Sequence, residues 1–312
     1  MKIRKYFLFL LAVLFSTCAK TPEIDNAAML DGDQIFDLSL THPEDYLISA
    51  KYPNPNEIQK NTPVIIAAHG YSASTFEWDE LREFADRQGT FFVSQVLLGG
   101  HGKTYADFKK ATWQDWQLPI VNEYNKLSEL GYKKIYVIGS STGCPLIINM
   151  VKSGIFHQGV KPKGIFLIDP IVISSNKTLT LVSALGPVLG FTTTELSDGE
   201  KGHWYVYRPY QSLSQLMQLI DLTRKDLEKG ITLPEGTFMK TYKSTVDDSA
   251  DPVSAVLIYK GMATSGGAKT EVEMVSSKLH VFNRLKGRDG VTQADRDLQS
   301  RVFAEIEGRV TK

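Results

Sequence analysis

The feature of the sequence that most constrains the fold is a regular alternation of short apolar runs with amphipathic segments between residues 62 and 168. Val64–Ala68 and Ile135–Ile138 are unbroken apolar runs, and each has the length of a strand that is buried on both faces of a sheet. Phe91–Leu98 and Ile165–Ile168 also have the length and composition of strands. We therefore predict four strands in this half of the chain.

The segments between these runs carry apolar residues at helical spacing. Trp113, Trp116, Ile120, Tyr124 and Leu127 step by three and four residues, which puts them on one face of a helix. A second helix is predicted over residues 142–154. A third is predicted where Trp78, Leu81 and Phe84 share a face, with Ser74 and Glu77 at the spacing of a capping box before it.

Strands that alternate with helices predict the α/β class, with a doubly wound and mostly parallel sheet. In such a sheet, binding groups collect outside the carboxyl ends of the strands. The residues that directly follow the apolar runs are therefore the first candidates for a functional site.

The alternation breaks between residues 174 and 233. This segment is too long for a simple connection, and it contains the aromatic stretch His203–Arg208 and an amphipathic stretch around Leu216. We predict that residues 174–233 form a lid or cap inserted into a core made of residues 35–173 and 234–312. The aromatic stretch could line an acyl pocket, but packing of the lid onto the core is the commoner fate of such residues.

The first residues have the pattern of an export signal. A basic start is followed by the apolar run Tyr6–Phe15, which is about half the ~20 residues that a membrane span needs. Phe15–Cys18 resembles a bacterial lipobox, in which the cysteine is lipidated and becomes the first residue of the mature protein. We predict a signal peptide over residues 1–17, a lipidated Cys18 with a tether to residue 34, and a location in the bacterial envelope, on the outer membrane. Ordinary cleavage after Ala19 is the alternative.

Charge and cysteine content narrow the range of partners. The chain has 35 basic and 35 acidic residues, so no basic surface is indicated for nucleic acid. Its two cysteines are Cys18 and Cys144, and a lipidated Cys18 would leave none to pair with Cys144. We expect a monomer that acts on a small or neutral molecule and contacts the membrane through its lipid.

The motif Gly139-Ser140-Ser141-Thr142-Gly143 matches G-x-S-x-G and lies between a predicted strand and a predicted helix. That context is typical of an elbow that holds a serine in a strained turn with its hydroxyl exposed. Because a serine hydroxyl is a weak nucleophile, it needs a neighbouring base and donors for the developing oxyanion. We predict Ser141 as the nucleophile and the backbone N–H groups of Tyr71 and Thr142 as the oxyanion hole.

Together these motifs resemble the α/β-hydrolases, in the branch of the monoacylglycerol lipases and carboxylesterases. The resemblance rests on His69-Gly70-Tyr71, on Gly100-His101-Gly102, on Trp113 to Trp116 and on the serine elbow. It implies a Ser-His-Asp triad in the chain order serine, acid, histidine. A further strand is predicted near Val272–Val275, and a closing helix is predicted where Leu298, Val302 and Ile306 share a face. His280 lies between them, where similar enzymes place their catalytic histidine.

Three aspartates compete for the role of triad acid. Asp247 has the spacing to Pro252 that similar esterases show, and we select it. Asp251 directly precedes Pro252 and reads as a helix N-cap. Asp169 follows the strand Ile165–Ile168, from which some lipases take their acid, so it remains a second alternative.

These residues predict a serine hydrolase that cleaves a monoacylglycerol or a short- to medium-chain acyl ester through an acyl-enzyme on Ser141, without a cofactor or metal. Feruloyl esters are also possible substrates. An acyltransferase with the same triad and a non-catalytic lipoprotein that binds an apolar ligand are the alternatives.

Overall fold

The computed structural model describes residues 35–157, 159–175 and 190–312. The predicted signal peptide, Cys18 and the tether lie outside the described residues, as does part of the predicted lid. Among the described residues, no helix combines the length and the hydropathy that a membrane-spanning segment requires.

The strands alternate with helices along the chain. The strands are β1 (Val64–Ala68), β2 (Phe92–Val96), β3 (Ile135–Ser140), β4 (Gly164–Ile168), β5 (Phe191–Thr193), β6 (Tyr207–Pro209), β7 (Ile231–Thr232), β8 (Phe238–Ser244), β9 (Met262–Ala263) and β10 (Glu271–Val275). The helices are α1 (Ile48–Lys51), α2 (Glu57–Asn61), α3 (Asp79–Gln88), α4 (Tyr105–Lys110), α5 (Trp113–Glu129), α6 (Gly143–Lys152), α7 (Tyr210–Lys229), α8 (Val253–Gly261) and α9 (Gln293–Val310). Short 3₁₀ turns occur at Leu38–Leu40, Pro43–Asp45, Thr75–Trp78 and Ile155–His157.

In the described part of the chain, six strands form one sheet in the order β10-β8-β4-β3-β1-β2, and every neighbouring pair is parallel. The strand that carries the serine elbow, β3, therefore lies in the middle of the sheet. Parallel strands bring all of their carboxyl ends to one edge, so the segments that follow β1, β3, β4, β8 and β10 meet there. The predicted α/β class and mostly parallel sheet are confirmed.

Both faces of the sheet are covered, which explains the unbroken apolar runs in the sequence. In β1, Val64, Ile66 and Ala68 pack into one core cluster, while Ile65 and Ala67 pack into the cluster on the opposite face. All five side chains are fully buried. A strand buried in this way cannot show the alternation of polar and apolar residues that marks a half-exposed strand.

One local prediction is wrong. Ser74 makes no capping hydrogen bond, and residues 75–78 form a 3₁₀ turn before α3 begins at Asp79. Glu77 is buried and bonds elsewhere in the core, because the turn directs its side chain toward the β3 elbow rather than back to the chain at Ser74. At the other end of α3, Gly89 adopts a left-handed conformation and closes the helix.

Between β4 and β8, the described residues form a small antiparallel pair, β5 with β6, followed by the long helix α7. Leu216, Leu219 and Ile220 of α7 join the same core cluster as α6. This inserted region is therefore packed against the core on the side of the strand ends.

Candidate active site

Ser141 lies at a sharp turn between β3 and α6. Its φ angle is 47°, a left-handed conformation that is strained for a residue other than glycine. Its backbone N–H donates to the carbonyl of Ile168 at the end of β4, at 3.0 Å, which fixes the turn to the neighbouring strand.

The two glycines that flank the elbow allow its close packing. A Cβ atom on Gly143 would lie 2.4 Å from the carbonyl oxygen of Ala68, and one on Gly139 would lie 2.7 Å from the backbone of Gly143. Glycine is needed here because helix α6 starts in direct contact with the end of β1. The G-x-S-x-G spacing is thus a requirement of the turn.

The structure brings Ser141, His280 and Asp247 into one hydrogen-bonded line. Nε2 of His280 lies 2.9 Å from Oγ of Ser141, and Nδ1 of His280 lies 2.8 Å from Oδ2 of Asp247. His280 reaches this place from the loop after β10, and Asp247 from the loop after β8. In this arrangement a proton on Nδ1 leaves Nε2 free to accept the serine proton.

Asp247 is held by four donors. Its Oδ1 accepts hydrogen bonds from the backbone N–H groups of Ser249, at 2.8 Å, and Ala250, at 2.9 Å. Its Oδ2 accepts from the ammonium of Lys243 as well as from His280. Burial by itself would raise the pKa of Asp247, but the hydrogen bonds from His280, Lys243 and Ala250 outweigh it and hold the pKa well below its ordinary value. These hydrogen bonds therefore favour the ionised form of Asp247.

Sequence reasoning missed a buried lysine beside Asp247. The side chain of Lys243, at the end of β8, is fully buried between the carboxylates of Asp247 and Asp169, and it lies 3.3 Å from Oδ1 of Asp169. A lysine in a predicted strand ordinarily suggests an exposed position. The sequence does show that Lys243 precedes the candidate acid Asp247 by four residues. Only the folded chain shows that Lys243 also pairs with Asp169.

Asp169, the second alternative for the acid, makes no hydrogen bond to His280. Its carboxylate accepts the backbone N–H of Ser244 at 2.7 Å and that of Val281 at 2.8 Å. Val281 has a φ angle of 61°, so Asp169 fixes a strained turn directly after His280. Asp169 thus positions the loop of the histidine.

Asp251, the first alternative, makes its side-chain hydrogen bond to the start of α8 and not to His280. Its Oδ1 accepts the backbone N–H of Val253 at 2.8 Å, at the start of α8. The helix begins one residue later than the sequence predicts, with Pro252 in the capping position. Asp251 nevertheless satisfies a free N–H of the first turn, which is the structural role expected of it.

The predicted oxyanion donors lie beside the serine. Tyr71 and Thr142 both line the cavity that contains Ser141 and His280. Among the described residues, neither backbone N–H has a hydrogen-bond acceptor. Unpaired N–H groups next to a candidate nucleophile are suited to stabilise a developing negative charge.

Comparison with known proteins gives relatives for the whole core. No protein-family profile matches the chain. The chain is 25% identical over 224 residues to the thermostable monoacylglycerol lipase of Bacillus sp. (strain H-257), a match that spans 71% of this chain and 84% of that protein. A metagenome-derived lipolytic enzyme superposes with a TM-score of 0.62 at 20% identity, over 80% of this chain and 94% of that chain. A soluble variant of the monoglyceride lipase of Saccharomyces cerevisiae gives a TM-score of 0.64 at 13% identity, over 82% and 88% of the two chains.

The chain has the α/β-hydrolase fold. This confirms the fold that the serine elbow and the motifs at His69 and His101 predicted, and the chain is similar to proteins named monoacylglycerol or monoglyceride lipases.

The loop that contains Tyr71 is held by hydrogen bonds of Gly70 and His69, the two residues before it. The N–H of Gly70 donates to Oε1 of Glu77 at 2.8 Å, and Glu77 also accepts from the hydroxyl of Ser140. His69 bonds the carbonyl of Gly70 through Nδ1, at 2.8 Å, and accepts the N–H of Leu98 through Nε2, at 3.0 Å. Glu77 therefore links the loop before Tyr71 directly to the serine elbow.

The other histidines have no contact with the serine. His69 and His101 are fully buried with ring centroids 5.1 Å apart, and burial lowers the pKa of both. His203 stacks on Phe76 at 3.8 Å, with the two rings nearly parallel. His157 ends a short 3₁₀ segment, His42 directly precedes another, and both histidines are exposed. The sequence-based choice of His280 thus coincides with the one histidine of the described chain that bonds Ser141.

The cavity at Ser141 has a volume of about 390 Å³, which is near the lower end of the range for small-molecule sites. Ile171, Leu213 and Leu216 give it an apolar wall. Its polar side includes residues 192–194 of β5 and the neighbouring turn, and Arg208 of β6.

The aromatic stretch of the lid divides into two roles. Trp204 packs under the guanidinium of Arg284 at 4.2 Å, and Tyr205 stacks on Phe108 with ring centroids 4.4 Å apart. These residues attach the lid to the core, in agreement with the packing interpretation. Arg208, at the end of the same stretch, lines the cavity instead.

Asp169, Asp247 and His280 are close enough to suggest a metal site, since their ligand atoms lie within 4.8 Å of one another. Lys243 already donates to both carboxylates, and His280 is bonded to Asp247 and Ser141. A metal ion would have to displace the ammonium group, so these side chains form an internal ion pair network rather than an open ligand set.

Proposed function

We propose that the protein is a serine hydrolase of carboxylic esters that acts through an acyl-enzyme on Ser141. The observation that carries the proposal is the continuous line of hydrogen bonds from Ser141 Oγ through His280 to Asp247, at 2.9 and 2.8 Å. This line starts from a residue held in a strained left-handed conformation. Groups arranged in this way activate a hydroxyl for attack on a carbonyl carbon.

The proposed reaction has two steps, acylation of Ser141 and hydrolysis of the acyl-enzyme. Oγ of Ser141 bonds to the carbonyl carbon while its proton moves to Nε2 of His280, and the oxyanion accepts hydrogen bonds from the N–H groups of Tyr71 and Thr142. His280 then gives the proton to the departing alkoxide, which leaves as an alcohol. Water, deprotonated by His280, attacks the carbonyl carbon of the acyl-enzyme. The bond from that carbon to Ser141 Oγ then breaks, His280 returns the proton to Oγ, and the acid is released. Asp247 holds the imidazole in the required tautomer and stabilises its positive charge.

We propose a monoacylglycerol or a short- to medium-chain acyl ester as the substrate. The Bacillus relative is named a monoacylglycerol lipase, and the apolar wall of Ile171, Leu213 and Leu216 is suited to an acyl chain. The small volume of the cavity favours short chains, although residues 176–189 of the lid are outside the described part.

For the amino terminus we propose cleavage before Cys18, lipidation of that cysteine and attachment of a monomer to the outer membrane. The proposal rests on the basic start, the apolar run and the lipobox-like sequence. The intact mass of the protein from its native envelope should show a lipid-bearing cysteine as the first residue. A free amino terminus at Lys20 would contradict lipidation.

The hydrolase proposal is tested by labelling with a fluorophosphonate probe, followed by peptide mass spectrometry. We expect one adduct, on Ser141, and none in the Ser141→Ala variant. Ser140→Ala is a matched control, because Ser140 is next in sequence but its hydroxyl bonds to Glu77. Labelling at another residue, or turnover of short acyl esters by Ser141→Ala, would refute the assignment.

A further inference from the structure

Arg208 is a charged residue of the cavity to which the proposed reaction gives no role. It lies on β6 directly opposite Thr192 of β5, and it lines the same cavity as Ser141 and His280. A cation at this place faces the substrate.

The guanidinium of Arg208 lacks the partners that other buried arginines have. Its Nε is buried without a hydrogen-bond partner, and no carboxylate of the described residues lies within 4.0 Å of the group. Arg284, by contrast, bonds Glu200 and stacks on Trp204. An uncompensated cation that is largely removed from water is costly to the folded state, so its presence in a cavity suggests a partner that arrives with a ligand.

The neighbouring acids do not neutralise Arg208. Burial lowers the pKa of its guanidinium, while the charge of Glu200 raises it. Glu200, however, is already paired with Arg284 and lies 3.8 Å from Arg288. Asp248, which also lines the cavity, is exposed at its rim. This wall of the cavity therefore carries an excess of positive charge.

Arg208 is also fixed close to the oxyanion loop. Its guanidinium carbon lies 5.8 Å from the centre of the ring of Tyr71. The hydroxyl of Tyr71 bonds Ser212 at 2.5 Å, and the hydroxyl of Ser212 donates to the carbonyl of Pro209 at 2.9 Å. Tyr71, whose backbone N–H is proposed to stabilise the oxyanion, thus also helps to position the side chain of Arg208.

We propose that Arg208 binds a carboxylate of the substrate, so that the enzyme prefers esters that carry a negative charge near the scissile bond. This proposal deepens the proposed ester hydrolysis and rests on it. The planar guanidinium can hold a carboxylate through two parallel hydrogen bonds, and the partly enclosed cavity strengthens that pairing. The charge can belong to the acyl part or to the alcohol part of the ester.

Two matched pairs of substrates test the preference, with kcat/KM measured by pH-stat titration. Monomethyl adipate against methyl hexanoate places the carboxylate on the acyl part. Butanoyloxyacetate against propyl butanoate places it on the alcohol part. We expect the charged ester of one pair to be preferred at least about tenfold, as a charge-assisted hydrogen bond would give.

Substitution of Arg208 separates binding of a carboxylate from packing. Arg208→Gln should reduce the preference ratio by roughly 10- to 100-fold, and Arg208→Lys should retain part of it because it keeps the charge without the planar fork. Arg224→Gln is the matched control, because Arg224 lies on α7 in an exposed pair with Asp221 at 2.9 Å. It should leave both rates unchanged.

A binding measurement keeps the test independent of turnover. Calorimetry with adipate and the Ser141→Ala protein should detect binding that is weakened at least about tenfold by Arg208→Gln. Absence of adipate binding, or a preference ratio that Arg208→Gln leaves unchanged, would overturn the role of Arg208. Failure of the fluorophosphonate to label Ser141, with adipate binding intact, would instead overturn the ester hydrolysis alone.

Discussion

Replacement of Asp247 by asparagine tests the assignment of the triad acid most directly. The side chain receives four donors in the structure, two at Oδ1 and two at Oδ2. An amide of the same shape offers one acceptor oxygen and one NH₂ group. Whichever way the amide is turned, two donors would face its NH₂ group.

The catalytic effect follows from the orientation of His280. If the NH₂ group faces Nδ1, the imidazole carries its proton on Nε2, where it points at Ser141 and cannot accept the serine proton. The loss in kcat should then be on the order of 10⁴, the value that the equivalent change gives in a serine protease.

The effect on stability follows from the donors that lose their acceptor. Each buried donor without an acceptor costs about 1–3 kcal/mol. Loss of one charge from a buried ion pair network costs about 3–5 kcal/mol. We therefore expect the free energy of unfolding of Asp247→Asn to fall by about 3–5 kcal/mol, which leaves a folded protein if the parent has the usual 5–15 kcal/mol.

The stability difference should depend on pH. Because the pKa of Asp247 is held well below its unfolded value of ~3.9, its ionisation stabilises the folded state fully above that value. The contribution is lost as the pH falls from about 4 toward the folded pKa. Urea unfolding at pH 7 and at pH 3 should thus show a smaller gap between parent and variant at the lower pH.

Two further aspartate variants serve as controls, measured in the same ester assay with the folded fraction determined by circular dichroism. Asp251→Ala should cost about 1 kcal/mol of stability and leave kcat unchanged, because it removes only a hydrogen bond at the start of α8. Asp169→Asn should destabilise the fold through Lys243 and the Val281 turn, with a fall in kcat of less than about 10². A loss near 10⁴ in Asp169→Asn, with activity retained in Asp247→Asn, would show that the acid is misassigned.

Three other substitutions or modifications test the packing around the site. Gly143→Ala should lower the free energy of unfolding by about 1–3 kcal/mol, measured by urea titration, because its Cβ would lie 2.4 Å from Ala68 O; unchanged stability would mean that α6 can move. Glu77→Gln should lower kcat about tenfold with little change in KM, since the side chain fixes the N–H of Gly70 beside the oxyanion loop; an effect on KM alone would contradict this role. Cys144 should not react with Ellman's reagent in the native Cys18→Ser protein but should react in urea, because burial raises the pKa of its thiol; rapid native labelling would show that the core opens.

The fold was largely predictable because its central strands β1, β3 and β4 are buried on both faces. Such strands appear in sequence as apolar runs, and β1 and β3 begin and end close to the predicted limits. Glu77 shows where local patterns fail. Its spacing from Ser74 fits a capping box, yet its partners are Gly70 and Ser140, and the latter comes from a distant part of the chain.

In the site, motifs and chain order predicted that Ser141 and His280 come together, and the structure places them 2.9 Å apart. The charged groups around them were not foreseen. The pairing of Lys243 with two carboxylates depends on the register of β8 against β4, which no local pattern encodes. Arg208 belongs to an aromatic stretch in which Trp204 and Tyr205 pack against the core, so its sequence context did not indicate that it lines the cavity. A side chain without an internal partner can be recognised only when all of its neighbours are known.

Ser141 is synthesised well before His280, so the site cannot be assembled until late in synthesis. His280 follows Ser141 by 139 residues, and it belongs to the loop after the last strand to join the sheet edge. At about 5–20 residues per second, on the order of ten seconds separate the synthesis of these two residues. Until β10 docks on β8, His280 is not held against Ser141, so in the proposed mechanism a nascent chain carries no activated nucleophile.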